Sequence, residues 1–164
     1  ALGIPLYLDT LGTVLSAAIL GPVPGIIVGA LSNIITGLIY SVSDIPFCLV
    51  NMAVGLIVGL VAHKVAKINE STDKKYVFKW SVIASVAGLA FNVVADPIVG
   101  YFYKQYILGQ PQELAQALAK MSAAATFINA VVSVILVAII YNAVRPVLIK
   151  SHLITVTNNK NQVA

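Results

Sequence analysis

Long apolar stretches separated by short polar ones dominate the sequence. From Thr10 to Ser43 there is no charged residue, and a Gly-Pro-Val-Pro-Gly run at 21–25 divides this stretch, since proline and glycine interrupt helices. We predict a short helix over 10–20 and a second helix over 25–40. The first is shorter than the roughly 20 residues of a membrane span, so we expect it to be tilted, continued by the preceding loop, or packed inside a bundle.

Three further apolar stretches predict three more helices, over 47–62, 80–106 and 121–144. Polar segments connect the predicted helices, at 41–46, 64–79 and 104–120. The part after Pro111 is rich in Gln, Glu and Ala and favours a short surface helix leading into the last span. That last span is expected to stop at Arg145-Pro146.

The composition indicates an integral membrane protein. Of the 164 residues, 59% are hydrophobic and 10% are charged, whereas a soluble domain carries about 25% charged residues. The chain has room for about five spans with short connections. We therefore predict an all-α membrane protein, a compact bundle of about five transmembrane helices. Residues 1–150 form a single transmembrane domain and residues 151–164 a polar cytoplasmic tail.

The basic residues predict the orientation in the plasma membrane. Five lysines lie in the 64–79 loop, and three basic residues follow the last span. Two spans separate these regions, so both lie on one side, which the positive-inside rule makes cytoplasmic. The formal net charge of +4 would suit a protein that binds nucleic acid. The placement of the basic residues at helix ends argues against this. The chain then begins outside the cell. Because its start does not resemble a signal peptide, we expect an earlier helix, and six helices in the intact protein.

Polar residues inside the predicted spans are the candidates for function. Asn92 and Asp96 lie one helical turn apart on one face, and a carboxylate inside a span costs roughly 2.5–3.5 kcal/mol, which usually marks a functional site. Asn51 falls in the same outer half, level with Tyr7 and Asp9 if the first loop folds inward. The alternative is that such residues only join helices through hydrogen bonds. For Asn33 and Asn129, helix joining and ligand binding are equally favoured.

An outward-open cavity lined by these groups, with Phe91 and Tyr101 nearby, would suit a small polar ring compound. No Lys or Arg falls inside a predicted span, since Lys104, near the end of the 80–106 stretch, belongs to the polar connection. A neutral or amino-bearing ligand therefore fits better than an anion, with Asp96 accepting from its N–H groups.

Small residues recur at every fourth position in two of the predicted helices. Such spacing lets helix backbones approach closely, either within the chain or against another membrane protein. The glycines with this spacing are Gly21, Gly25, Gly29, Gly55 and Gly59.

Motifs for catalysis and metal binding are absent from the sequence. It has no Walker A, His-Glu-x-x-His or Gly-x-Ser-x-Gly motif, and Cys48 is the only cysteine, so we expect no metal site, no cofactor and no enzymatic activity. Any energy from ATP must come from another subunit.

The ordered set of an entry loop, a short helix, a Gly-Pro turn and a Gly-rich helix resembles the S components of energy-coupling factor (ECF) vitamin transporters. The residues are Pro-Leu-Tyr-Leu-Asp-Thr-Leu-Gly-Thr at 5–13, Leu-Gly-Pro at 20–22 and Gly-Ile-Ile-Val-Gly-Ala-Leu-Ser-Asn at 25–33. The resemblance extends to the end of the last span. It implies a six-helix subunit that captures a vitamin or precursor from outside and joins a transmembrane T component and two cytosolic ATPases.

The resemblance also implies which residues contact the cargo. The first loop, here with Tyr7, Asp9 and Thr10, covers the substrate, and the last three helices line it with Asn51, Asn92, Asp96 and Asn129. The docking helix of the family would precede this chain. Among substrates, hydroxymethylpyrimidine or a related ring compound agrees best with the acidic, lysine-free interior, and pantothenate is the second choice. The alternative function is a membrane sensor or scaffold without a transported ligand.

Overall fold

The computed structural model describes residues 9–154 and residue 156, and every regular element in them is helical. Its five α-helices are α1 (Asp9–Leu20), α2 (Pro22–Ile39), α3 (Cys48–Leu60), α4 (Lys74–Phe102) and α5 (Gln112–Lys150). A 3-10 helix, Val42–Phe47, precedes α3, and π-helical turns extend α3 over Val61–Val65 and α4 over Tyr103–Ile107. α2, α4, α5 and the Val42–Val65 segment are long and apolar enough to cross a membrane. The predicted all-α membrane fold is confirmed.

The first helix packs inside the bundle. α1 has 12 residues and contacts all four other helices. Thr13, Val14, Ala17 and Ala18 are fully buried. Of the three expectations for this helix, packing inside the bundle is the one that the structure shows.

The Gly-Pro-Val-Pro-Gly run starts α2 instead of separating two helices over five residues. Gly21 alone interrupts the chain, with φ of +102°, in a region that glycine adopts without steric cost. Pro22 and Pro24 both lie in the first turn of α2, where the missing N–H of proline has no intrahelical acceptor to lose. The predicted start at residue 25 was therefore three residues late.

The polar connections are shorter than predicted. α4 begins at Lys74 rather than residue 80, and Asp73 caps it by accepting from the Lys75 N–H at 2.8 Å. The surface helix expected after Pro111 and the last span are one continuous helix, since Gln, Glu, Ala and Leu all favour helix.

The predicted stop at Arg145-Pro146 was also wrong, because α5 continues to Lys150. Arg145 is only 7% exposed, so a cation does lie within the last helix. Its guanidinium Nη2 donates to the backbone carbonyls of Ile68 and Ser71. These contacts hold α5 against loop 66–73 beside Pro146.

The side chain of Asn69, within the same loop, makes two more hydrogen bonds. The Tyr141 hydroxyl donates to Asn69 Oδ1 at 2.6 Å, and Asn69 Nδ2 donates to the Ile19 carbonyl at 2.9 Å. The loop therefore joins the C-terminal ends of α1 and α5. We call this end of the bundle the basic end, after the lysines around the loop, and the opposite end, with Val42–Phe47 and residues 108–111, the far end.

The backbones of α2 and α3 are in contact. A Cβ atom on Gly25 would lie 2.9 Å from the Gly55 carbonyl oxygen, and one on Gly29 would lie 2.5 Å from that of Asn51. One on Gly59 would overlap the backbone of Pro22. Four glycines therefore face the opposite helix of this chain, namely Gly25, Gly29, Gly55 and Gly59. Of the two explanations for their spacing, this is packing within the chain. Gly21 lies at the α1–α2 junction beside the His63 ring.

Candidate functional site

Helix contacts determine which buried polar residues lie at the same depth. Gly25 of α2 faces Ala17 of α1, and Gly29 faces Asn51 of α3. α1 and α2 run antiparallel, so the residue four positions before Ala17 is level with the residue four positions after Gly25, which is Gly29. Thr13 therefore lies at the depth of Gly29 and Asn51.

The α3–α4 contact extends this level to a third helix. Gly88 of α4 packs against Val54 and Val58, so it lies level with the midpoint of those two residues. Asn92 lies four residues from Gly88 toward the far end. Four residues from that midpoint in the same direction along α3 is position 52, so Asn92 is level with Asn51 to within about one residue's rise of 1.5 Å.

The α4–α5 contact adds the fourth helix and the carboxylate. Asp96 Oδ2 accepts from the hydroxyls of Ser122 at 2.8 Å and Thr126 at 2.9 Å. Asp96 is therefore level with position 124 of α5. Four residues toward the basic end along both helices, Asn92 is level with position 128, next to Asn129. Asp96 is one turn nearer the far end, about 6 Å away along α4.

Four buried side chains therefore form a polar layer across the bundle, one from each of α1, α3, α4 and α5. Their exposed fractions are 0%, 4%, 7% and 8%, for Thr13, Asn51, Asn92 and Asn129 respectively. Amide and hydroxyl groups both donate and accept hydrogen bonds, and lipid offers them no partners. The layer can thus either join helices or bind a polar ligand that enters from the far end.

Two observed contacts link these groups to neighbouring helices. Asn51 Nδ2 donates to Asn33 Oδ1 of α2 at 3.0 Å, and Asp96 joins α4 to α5 as described. Asp96 is half-buried and is the only charged residue between Lys79 and Lys104. Both hydroxyl donors to Asp96 reach α4 from a single face of α5.

The remaining candidates lie at or beyond the start of α1. Thr10 is buried at 7% exposure, one turn from Thr13 toward the far end. Asp9 is the first residue of α1, and Tyr7 lies outside the described residues. Phe91 is 40% exposed and Tyr101 lines a groove on the perimeter, so the aromatic lining expected from these two residues is not seen.

Sequence reasoning missed Ser122, Thr126 and Thr13. The first two are separated by four residues and so share a face of α5 with Asn129, a signal present in the sequence. Hydroxyl residues are common in membrane helices and often bond to their own backbone, as Ser85 does to the Ser81 carbonyl. Only the position of Asp96 on the neighbouring helix singles out this pair.

The described residues contain no cluster of three or more His, Cys, Asp or Glu side chains that could bind a metal ion. Within these residues, the candidate site is therefore built from amides, hydroxyls and one carboxylate, which are groups for binding and orienting a ligand.

Comparison with known proteins identifies the family of the chain. A sequence model of the family described as "ECF-type riboflavin transporter, S component" matches residues 3–146, most of the chain. Neither the curated proteins nor the solved structures contain a significant match. The expected kinship with ECF S components is confirmed, and S components are transporter subunits, not enzymes. The chain belongs to the family of ECF-type riboflavin transporter S components, the substrate-binding membrane subunits of vitamin transporters.

Proposed function

We propose that this chain captures riboflavin at the far end of the bundle and holds it over the polar layer. The observation that carries the proposal is the buried layer of Thr13, Asn51, Asn92 and Asn129, with Asp96 one turn above it and no cation between Lys79 and Lys104. The family description supports riboflavin as the cargo.

The chemistry of riboflavin suits such a site. Its tricyclic ring is neutral and has alternating carbonyl and N–H groups on one edge, and its side chain is a row of hydroxyls. Asparagine amides can pair with both kinds of group at once. A neutral ligand needs no lysine or arginine, and the Asp96 carboxylate can accept from a ring N–H or a ribityl hydroxyl.

We assign the ring to the level of Asn51, Asn92 and Asn129, and the covering role to the segment that includes Tyr7, Asp9 and Thr10. Thr10 is buried at the far-end start of α1, which supports its part in this assignment. Closure of that segment over the ligand would exclude water and strengthen each hydrogen bond beneath it.

The partners that the family implies are a transmembrane T component and two cytosolic ATPases. The sequence has no Walker A motif, so ATP hydrolysis is assigned to the partner chains. We also propose that the basic end faces the cytoplasm, because positively charged loops are retained on that side.

Orientation is testable with single thiols. In a Cys48→Ser background, Ser71→Cys reports the basic end and Gln110→Cys reports the far end. A membrane-impermeant maleimide applied to intact cells should label Gln110→Cys and leave Ser71→Cys unlabelled until the cells are opened. The reverse pattern would refute the orientation.

The substrate test is mass spectrometry of small molecules released from the purified protein, followed by calorimetric titration with riboflavin, hydroxymethylpyrimidine and pantothenate. Riboflavin at near-equal stoichiometry supports the proposal. Preferential binding of hydroxymethylpyrimidine would instead support the substrate predicted from the acidic, lysine-free interior. Pantothenate is expected to bind least, because its carboxylate would face Asp96 with no nearby cation among the layer residues.

A sensor or scaffold without a ligand is the second candidate. It is favoured by the Asn33–Asn51 hydrogen bond and the Asp96–Ser122–Thr126 contact, which join helices in the structure. An empty protein that binds none of the three vitamins would support this candidate and overturn the first.

A further inference from the structure

A groove on the outer surface of the bundle, near its far end, is separate from the polar layer. It has a volume of about 350 Å³ and lies between α4 and α5, lined by Pro97, Ile98, Tyr101, Phe102, Ala119, Lys120 and Ala123. Ile98 is 50% exposed and Phe102 is 53% exposed. The groove therefore opens to the lipid and not to the interior.

The groove walls are almost entirely apolar, with small alanine side chains on α5 opposite proline and aromatic rings on α4. Such a channel has the surface that an acyl chain fills by dispersion contacts. Along α5 it extends only from Ala119 to Ala123, about one helical turn of 5.4 Å. That length is short for a partner helix, which packs over several turns.

One cation lies in the lining. Lys120 is 25 residues before Arg145 on the same helix, which separates the two by about 37 Å at 1.5 Å per residue. The hydrocarbon core is about 30 Å thick. With Arg145 at the level of one set of headgroups, this separation would bring the Lys120 ammonium to the headgroups of the other leaflet, where lipid phosphates are.

We propose that this groove binds an anionic phospholipid, with an acyl chain along Pro97, Tyr101 and Ala123 and its phosphate on the Lys120 ammonium. The charge of Lys120 selects the headgroup, and the apolar walls hold the chain. This site does not depend on which vitamin the protein carries, so its test is independent of the substrate test.

Quenching of a tryptophan by brominated lipids tests the site. Trp80 is the only tryptophan in the sequence, so a Trp80→Phe background allows a single reporter, Phe102→Trp, in the groove. Leu38→Trp is the matched control, since Leu38 is 73% exposed near the far end of α2 and does not line the groove. Each variant is reconstituted in phosphatidylcholine vesicles with increasing fractions of brominated phosphatidylglycerol or brominated phosphatidylcholine.

For Phe102→Trp we expect half-maximal quenching at about a fivefold lower fraction of the anionic lipid than of phosphatidylcholine, the effect of one lysine near anionic lipid. Adding Lys120→Gln should remove this preference. Leu38→Trp should show none. Equal quenching of Phe102→Trp by both lipids, or a preference that survives Lys120→Gln, would overturn the proposal. Monodisperse elution of each variant shows that it folds.

Discussion

Asn51 Nδ2 donates a hydrogen bond to Asn33 Oδ1 over 3.0 Å, across the interface between α2 and α3. Both residues are buried, at 4% and 5% exposure. The bond connects the polar layer to α2, the one long helix that contributes no residue to it. It can therefore fix the orientation of the Asn51 amide that faces the proposed ligand.

Replacing Asn33 by Ala should lower stability by about 0.6–1.7 kcal/mol, the range for one polar contact between membrane helices. The measurement is the temperature at which half of the protein leaves the monodisperse peak in size-exclusion chromatography. Ser32→Ala is the control, because the Ser32 hydroxyl donates to the Val28 carbonyl of its own helix. An equal shift in the two variants would contradict an interhelical role for Asn33.

Replacing Gly55 by Ala should be among the most destabilising single-methyl additions. The new Cβ would overlap the Gly25 backbone carbonyl, and a backbone cannot move aside as a side chain does, so we expect a loss of about 1–3 kcal/mol. Gly12→Ala is the control, since a Cβ there has no neighbouring atom within 4 Å. It should be neutral or stabilising, as Ala exceeds Gly in helix propensity by about 1 kcal/mol.

The same thermal assay separates the two glycines. A Gly55→Ala variant as stable as Gly12→Ala would show that α2 and α3 are farther apart in the membrane than in the structure.

Replacing Asp96 by Asn separates ligand binding from helix joining. The amide oxygen can still accept from Ser122 and Thr126, so thermal stability should be unchanged or higher, whereas the charge that assists a ligand hydrogen bond is lost. We expect about a tenfold weaker riboflavin Kd by titration, because charged hydrogen bonds exceed neutral ones by about 1 kcal/mol or more.

The matched variant combines Ser122→Ala with Thr126→Val. It leaves the carboxylate in place but removes both hydroxyl donors, so stability should fall. If Asp96→Asn leaves the Kd unchanged while the hydroxyl variant lowers stability, Asp96 serves only to join α4 and α5.

Replacing Arg145 by Met should release loop 66–73 without affecting vitamin binding. The Ile68 and Ser71 carbonyls would lose their guanidinium donor, while the polar layer at Asn129 lies about 24 Å away along α5, at 1.5 Å per residue. Trypsin should then cut at Lys67 several-fold faster. The control is Lys150→Met, an exposed residue at the same end, for which cleavage at Lys67 should keep its original rate.

Helix type and number follow from local properties of the chain. The apolar stretches, and the absence of charge within them, are enough to predict five helices and to mark the first as too short for a span. The positions of Asn51, Asn92, Asp96 and Asn129 within spans are equally visible, because a polar group in lipid is costly wherever its helix packs.

Helix ends were less predictable, since they depend on contacts that the local pattern does not contain. Proline normally signals an end, yet Pro22 lies in the first turn of α2 and Pro146 lies within α5. The first is tolerated because N-terminal N–H groups have no helical acceptor. Beside the second, Arg145 binds a loop that precedes it by more than seventy residues, a contact that the local pattern does not contain.

The sequence by itself therefore determined the membrane fold and the identity of the buried polar residues, because both depend on the transfer of individual side chains from water to lipid. Tertiary structure alone decided which of those residues share a depth and which hydroxyls contact Asp96. Those relationships depend on the register between antiparallel helices. That register is set here by backbone contact at glycines such as Gly25 and Gly55, which lie thirty residues apart in the chain.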